Sequence, residues 1–239
     1  MLELDAVTKR FGGLTAVGEV SFRATQGEIL GIIGPNGAGK TTLFNVISGF
    51  YAPDGGRVLL DGRDVSKLPA HQICALGLCR TFQLVKPFGN LSVEDNVMIG
   101  ALTRLPSVAA AREEARRMVA LCRLEALAGV PARSLPIGLR KRLEVARALA
   151  TKPRLLLLDE VMAGLRPTET DRIVAVLRDL NRETGITILL IEHVMRAVMA
   201  LASRMLVLHH GAAIAEGVPE AVVREPAVIN SYLGAEAVA

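Results

Sequence analysis

The chain has 239 residues, a formal net charge of +4, and a composition that is 51% hydrophobic and 22% charged, which specifies a packed globule and excludes a disordered chain. No apolar run approaches the ~18 residues of a membrane span, and 3% aromatics is too few for the stacking platforms that bind single-stranded nucleic acid. The acidic start Met1-Leu2-Glu3-Leu4-Asp5 lacks the basic and apolar regions of a secretory leader, so one large cytoplasmic domain is expected.

Leu2 to Val7 alternates apolar and polar residues, and Leu14 to Phe22 does so again after Gly12-Gly13; two strands and an antiparallel hairpin follow. Phe11 sits at the turn. It reads either as a core residue closing the hairpin or as an aromatic stacked on a purine ring, and from the residues alone the core reading is preferred.

Ile29 to Ile33 is a continuous apolar run. It leads into Gly34-Pro35-Asn36-Gly37-Ala38-Gly39-Lys40-Thr41-Thr42, after which Leu43 to Ser48 has helical texture. Strand, G-x-x-x-x-G-K-[ST] loop and helix together are the setting of a phosphate cradle. Glycines let the backbone approach a polyphosphate, and the N–H groups at the helix start face its charge. Lys40 is expected to reach the terminal phosphates, Thr41 to ligate Mg²⁺, and Thr42 to hydrogen-bond a phosphate oxygen. The chain is expected to bind a nucleoside triphosphate.

After Arg80-Thr81-Phe82-Gln83 the texture changes. From Ser92 to Ala150 only helical spacing is found: Ala115, Met118, Val119 and Cys122 share one stripe, and Leu139, Leu143, Ala146 and Ala150 another. A helical subdomain inserted over about residues 84–151 is expected, with Gln83 at its entrance. Arg112, Arg116, Arg117 and Arg140-Lys141-Arg142 read as solvated helix faces. Cys74, Cys79 and Cys122 lack metal or disulfide spacing and read as reduced, buried small hydrophobes.

Leu155 to Leu158, Ile186 to Ile191 and Met205 to Leu208 are further short apolar runs, and Glu169 to Leu180 between them carries a helical stripe of Ile173, Val176, Leu177 and Leu180. Strands apolar on both faces belong to a covered parallel sheet. The first of them ends in Asp159-Glu160, which brings two carboxylates to the sheet edge where the glycine loop opens. Asp159 is positioned to hold Mg²⁺ directly or through water, and Glu160 to take a proton from an attacking water. His193 arrives at the same edge after Ile191 and Glu192, within reach of a γ-phosphate or its attacking water. His71, His209 and His210 are assigned no role.

The glycine loop, Gln83 ahead of a helical insert, Leu155 to Glu160 and His193 come in the order found in ABC transporter ATPases, and the resemblance covers essentially the whole chain. It implies a P-loop α/β core with a mostly parallel sheet, an N-terminal antiparallel β subdomain and the inserted helical subdomain, the whole of residues 1–239 forming one nucleotide-binding domain. ATP and Mg²⁺ are the implied cofactors, and ATP hydrolysis coupled to transport is the implied activity. Phe11 resembles the aromatic that stacks on adenine, Gln83 the Q-loop residue that touches Mg²⁺ and senses a membrane partner, and Glu160 the catalytic base. Ala163-Gly164-Leu165 resembles the D-loop, and His193 the switch histidine.

The family signature, usually L-S-G-G-Q, corresponds to Leu135-Pro136-Ile137-Gly138-Leu139. Pro136 provides neither hydroxyl nor backbone N–H, Leu139 replaces the glutamine, and Gly138 keeps an N–H for the ATP of a second ATPase subunit. Ser134 lies two residues upstream of Pro136. The segments Arg10 to Val17, Arg80 to Gln83, Asp159 to Leu165, Ile191 to His193 and Ile229 to Gly234 resemble branched-chain amino acid importer ATPases. Importers of urea or short amides, and the ATPase of lipopolysaccharide export, share several of these features. The implied partners are transmembrane permease subunits, a second like or unlike ATPase subunit and, indirectly, a periplasmic or extracellular solute-binding protein. Nucleic acid is not among them. The implied location is the cytoplasmic face of the membrane.

Overall fold

Alternating burial builds the first layer. β1 (Leu2–Phe11) and β2 (Leu14–Ala24) pair antiparallel, and β1 also pairs β4 (Gly55–Leu60), which carries the short β5 (Arg63–Asp64) at its edge. In β1 the residues Leu2, Leu4 and Val7 are buried and their neighbours are not, so one face of this sheet is core and the other is wet. The computed structural model describes residues 1–236, and side chains as far as Tyr232. Residues 237–239 of the expected domain, and the side-chain end of the Ile229–Gly234 stretch, lie outside the described residues.

The second sheet has, in spatial order, Ala212–Gly217, Arg204–His209, Ile29–Ile33, Thr187–Ile191, Leu155–Asp159 and Leu78–Arg80. β3 (Ile29–Ile33), β6 (Leu78–Arg80), β7 (Leu155–Asp159), β8 (Thr187–Ile191) and β9 (Arg204–His209) run parallel, and β10 (Ala212–Gly217) returns antiparallel to β9. Every residue of β3, β7 and β8 is buried. The apolar runs are continuous because both faces are covered. Leu30, Ile32, Leu155, Leu157, Leu189 and Ile191 face α1 (Lys40–Ile47) and the antiparallel sheet. Ile29, Ile33, Leu156, Leu158, Ile188 and Leu190 face the remaining helices.

Between β6 and β7 the chain is helical, as its spacing predicts: α3 (Val93–Leu102), α4 (Val108–Leu121) and α5 (Ile137–Ala150), with α2 (Ala70–Ala75) preceding β6. Ser92 caps α3 by accepting the Asp95 N–H at 3.0 Å. Inside α3, buried Asn96 holds the preceding loop by both its amide atoms, accepting from the Phe88 N–H at 2.9 Å and donating to the Phe88 carbonyl at 3.0 Å. Helix α6 (Pro167–Thr184) starts with Pro167 and a Glu169 carboxylate accepting the Arg166 N–H at 3.0 Å, and it stops at Gly185 with φ 65°. α7 (Met195–Leu201), α8 (Pro219–Val222) and α9 (Pro226–Glu236) complete the cover.

Several sequence expectations are corrected. Phe11 does close the β1–β2 hairpin opposite Leu14, but it is 43% exposed and is not core. Lys141 is not on a solvated face: only 6% exposed, it donates to the Glu160 and Ala163 carbonyls at 2.9 and 2.6 Å. Of the cysteines only Cys122 is fully buried; Cys74 and Cys79 are half-buried. Arg112 and Arg116 do lie outward, where both pair with Glu94.

Candidate active site

Three segments converge at the carboxyl edge of the parallel sheet, where strands end and helices begin. The first is the glycine loop between β3 and α1. Gly39 has φ 99°, and a Cβ there would stand 2.2 Å from the Ala16 carbonyl oxygen. Gly34 has φ 150°, and its Cβ would stand 2.1 Å from the Leu208 carbonyl oxygen. Only glycine fits these positions. Gly37 has φ 79° with open space before it, so one side of the loop is clamped against β2 and β9 while the other faces the cleft. Lys40 is buried and curls back to donate to the Gly34 and Pro35 carbonyls at 2.7 and 2.9 Å. Burial lowers its pKa, against the opposing pull of the Glu160 and Asp159 charges.

The second segment is the end of β7. Glu160 has φ 51°, a left-handed backbone that a glutamate adopts only when its surroundings impose it. Here its N–H is bound by the Ile191 carbonyl at 2.9 Å. The turn aims the carboxylate into the cleft, where Oε2 accepts from Gln83 Nε2 at 2.6 Å and Oε1 meets His193 Nε2 at 2.8 Å. Gln83, Glu160 and His193 are brought into one hydrogen-bonded group from positions far apart in the chain. The third segment follows β8. Glu192 is buried, its Oε1 accepts the Met162 N–H at 2.7 Å, and burial raises its pKa to about 7.

Phe11, Leu14, Thr15, Ala16, Asn36 to Thr42, Gln83, Glu160, His193 and His210 line a single cleft of about 480 Å³. Phe11 packs edge-on against Tyr51, ring centres 5.3 Å apart, at its outer end. The cleft thus offers a flat aromatic at one end, backbone N–H donors and a lysine in the middle, and a carboxylate held by an amide and an imidazole at the other. That sequence of groups suits a purine, a polyphosphate and a water to be deprotonated. Of the expected loop residues, Gly34 and Pro35 do not line the cleft. His210, given no role from the sequence, does.

Asp159 does not line that cleft. With Thr41 and Gln83 it lines an adjoining groove. Its Oδ2 accepts from Arg80 at 2.7 Å, whereas its buried Oδ1 has no hydrogen-bond partner among the described residues. An orphaned carboxylate oxygen beside an exposed threonine hydroxyl is the hard-oxygen donor set that Mg²⁺ takes, largely through retained waters. The residues present therefore fit the ion.

Leu135, Pro136, Ile137 and Gly138 do not line the cleft. They form the start of α5, where Pro136 supplies no side-chain cap and Ile137 is 56% exposed. Arg140 braces the turn by donating to the Leu135 carbonyl at 2.7 Å. Sequence reasoning missed Arg80, Lys141 and Glu192. Only Glu192 carried a local signal, an acid beside His193 at a strand end.

Comparison with known proteins places the chain in a family. Residues 17–163 match the family described as ABC transporter, and residues 214–238 match the family described as branched-chain amino acid ATP-binding cassette transporter. The chain is 39% identical to the high-affinity branched-chain amino acid transport ATP-binding protein BraF of Pseudomonas aeruginosa, the alignment covering 98% of each chain. Its fold superposes on the ADP conformation of the ATP-binding cassette MJ1267 with a TM-score of 0.89, 31% identity and 98% of each chain covered. It is also similar to a dimeric post-hydrolysis cassette, MJ0796 bound to ADP and Pi, with a TM-score of 0.83, 26% identity, and 92% of this chain and 99% of that one covered.

Proposed function

The chain belongs to the ABC transporter ATPase family, and on that premise we propose that it is the ATP-hydrolysing subunit of an importer for branched-chain or related amino acids. One observation carries the mechanism: Glu160, forced into a left-handed turn at the strand end, is held between Gln83 and His193 at the mouth of the glycine loop. Phe11 stacks on the adenine. The loop from Gly34 to Thr42 wraps the phosphates, and Lys40 exchanges its two loop carbonyls for phosphate oxygens. Thr41 and Asp159, with Gln83 beside them, would hold Mg²⁺, which when bound offsets phosphate charge.

Hydrolysis requires a water in line with the bond between the β–γ bridging oxygen and the γ-phosphorus. His193 and Gln83 orient that water, and Glu160 takes its proton as the new oxygen–phosphorus bond forms. The bridging oxygen leaves with its electron pair on ADP, so ATP and water become ADP, phosphate and a proton. In this reading the whole chain is one nucleotide-binding domain, and the helices of about residues 84–151 form a subdomain within it.

The signature stretch at the start of α5 does not line the chain's own cleft. It acts on the ATP of a second ATPase subunit, an arrangement that the dimeric cassette above supports. Exposed Phe50 and Phe82 pack edge-on, and Phe82 and Leu84 line a groove with Gln83, an exposed apolar surface beside it. A patch of this kind on a soluble face marks a docking site, and permease subunits are its occupants here. Among the described residues no helix is long and apolar enough to cross a membrane, so attachment to the cytoplasmic face runs through those subunits. BraF, named for branched-chain amino acid transport, supports the substrate class.

The test is ATP turnover by the chain and by Glu160→Gln. Removing the base lowers turnover about 100-fold or more while ATP binding persists. Turnover that survives the substitution refutes the assignment.

A further inference from the structure

We propose that Arg80 is a positioning residue for the reaction: its guanidinium sets the Asp159 carboxylate so that one chosen oxygen is presented to the metal, and it ties that carboxylate to the phosphate-loop helix and to the aromatic surface at Phe82. The inference rests on the ATPase reading given above.

A buried guanidinium is costly unless its charge and its donors are satisfied. Arg80 ends β6 with its side chain 5% exposed, and Asp159 ends β7 with its side chain 2% exposed. Nη2 donates to Asp159 Oδ2 at 2.7 Å, whereas the buried Nε has no hydrogen-bond partner among the described residues. Nη1 donates to Asn45 Oδ1 at 2.6 Å and to Ser48 Oγ at 3.2 Å, both on or just after α1. One planar fork thus spans two walls of the site, which a lysine ammonium cannot do.

The pairing is asymmetric. Occupying Oδ2 and leaving Oδ1 without a partner among the described residues selects Oδ1 as the oxygen left for a metal in the groove that Asp159 shares with Thr41. Asp159 is held from its own backbone as well, its N–H bound by Thr81 Oγ1 at 3.2 Å. Rotation of the carboxylate is therefore governed by Arg80.

The same guanidinium is stacked among aromatic rings. Its central carbon lies 5.7 Å from the Phe44 ring centre, 5.9 Å from Phe50 and 5.5 Å from Phe82. Phe44 is core, whereas Phe50 and Phe82 are about half exposed and pack edge-on at 5.6 Å. A partner that shifts Phe82 thereby shifts the cation that orients Asp159. Gln83, the neighbouring residue, reaches Glu160. Two adjacent residues thus carry the same surface to the two acidic groups of the site, Phe82 through Arg80 to Asp159 and Gln83 directly to Glu160.

The experiment compares the full chain with Arg80→Lys and Asn45→Ala. Fluorescent-ATP binding is measured in EDTA, turnover is titrated with Mg²⁺, and electron paramagnetic resonance is recorded with Mn²⁺ and nucleotide. Arg80→Lys is expected to keep metal-free nucleotide affinity within about twofold and to lower kcat about tenfold, the loss of one charge-assisted hydrogen bond. Its Mg²⁺ activation midpoint rises and the Mn²⁺ spectrum changes. Asn45→Ala, which leaves the ion pair in place, shifts the Mg²⁺ midpoint the same way by a smaller factor and supplies the test should Arg80→Lys not fold.

An unchanged kcat, Mg²⁺ midpoint and Mn²⁺ spectrum in a folded Arg80→Lys chain overturns the proposal. An unchanged Mg²⁺ midpoint in Asn45→Ala does so where Arg80→Lys does not fold. A wild-type chain that does not turn over ATP overturns the function reading instead, a separate result.

Discussion

Replacing Glu192 by glutamine tests how much stability this chain gives up to hold an acid beneath His193. The carboxyl is buried, one oxygen accepts the Met162 N–H, and the other has no hydrogen-bond partner among the described residues. Burial raises its pKa from the ordinary 4.5 to about 7, with the Met162 hydrogen bond and the Lys141 charge opposing the rise and Glu160 adding to it. Below the ordinary value both folded and unfolded chains carry the proton. As pH rises through that window the unfolded chain loses it first, so folding stability falls until the folded carboxyl also ionises near pH 7. Each tenfold change in acidity corresponds to about 1.4 kcal/mol, so the full loss is ~3 kcal/mol.

Glutamine keeps an acceptor for Met162 and does not titrate. The stability of Glu192→Gln relative to wild type should therefore rise between pH 5 and pH 8 by roughly 2–3 kcal/mol and level off above that. Urea unfolding of both chains at a series of pH values measures the difference, and other titrating groups cancel in it. A difference constant to within about 0.5 kcal/mol across the series refutes the reasoning.

Gly39→Ala places a methyl 2.2 Å from the Ala16 carbonyl at φ 99°, and backbone on both sides prevents relaxation; a loss of about 2–4 kcal/mol is expected, together with loss of nucleotide binding, and a thermal melt unchanged from wild type contradicts it. The cysteines should alkylate in a fixed order. Cys74 has its pKa lowered to about 6, chiefly by its hydrogen bond with Cys79, while burial raises Cys122 to about 12, so iodoacetamide near neutral pH should modify Cys74 and spare Cys122 in the native chain; peptide mapping that finds Cys122 labelled first contradicts the geometry.

What was legible in the sequence was what is determined over a few residues. The glycine loop from Gly34 to Thr42 must have glycine at Gly34 and Gly39 because the chain folds back on itself there, so the motif and its geometry are one fact. The runs in β3, β7 and β8 are apolar throughout because both faces are covered, and they were read from that alone. Strands β4, β5, β6 and β10 carry no such run. β6 is three residues long, and β4 and β10 lie at or near sheet edges and alternate with glycine and charge.

The misread side chains have partners distant in sequence. Lys141 looks solvated within Arg140-Lys141-Arg142, and it is buried because the turn after β7 supplies two carbonyls. Arg80 gains its meaning from Asp159, across the whole helical insert. Phe11 has the composition of core, yet it sits where the β1–β2 hairpin runs out of cover.

The most direct test is a crystal structure of Glu160→Gln grown with ATP and Mg²⁺. The triphosphate is expected within the Gly34–Thr42 loop, adenine against Phe11, the ion between Thr41 and Asp159, and the γ-phosphate facing Gln83, the substituted position 160 and His193. Nucleotide bound elsewhere, or a γ-phosphate facing away from those three side chains, contradicts this arrangement.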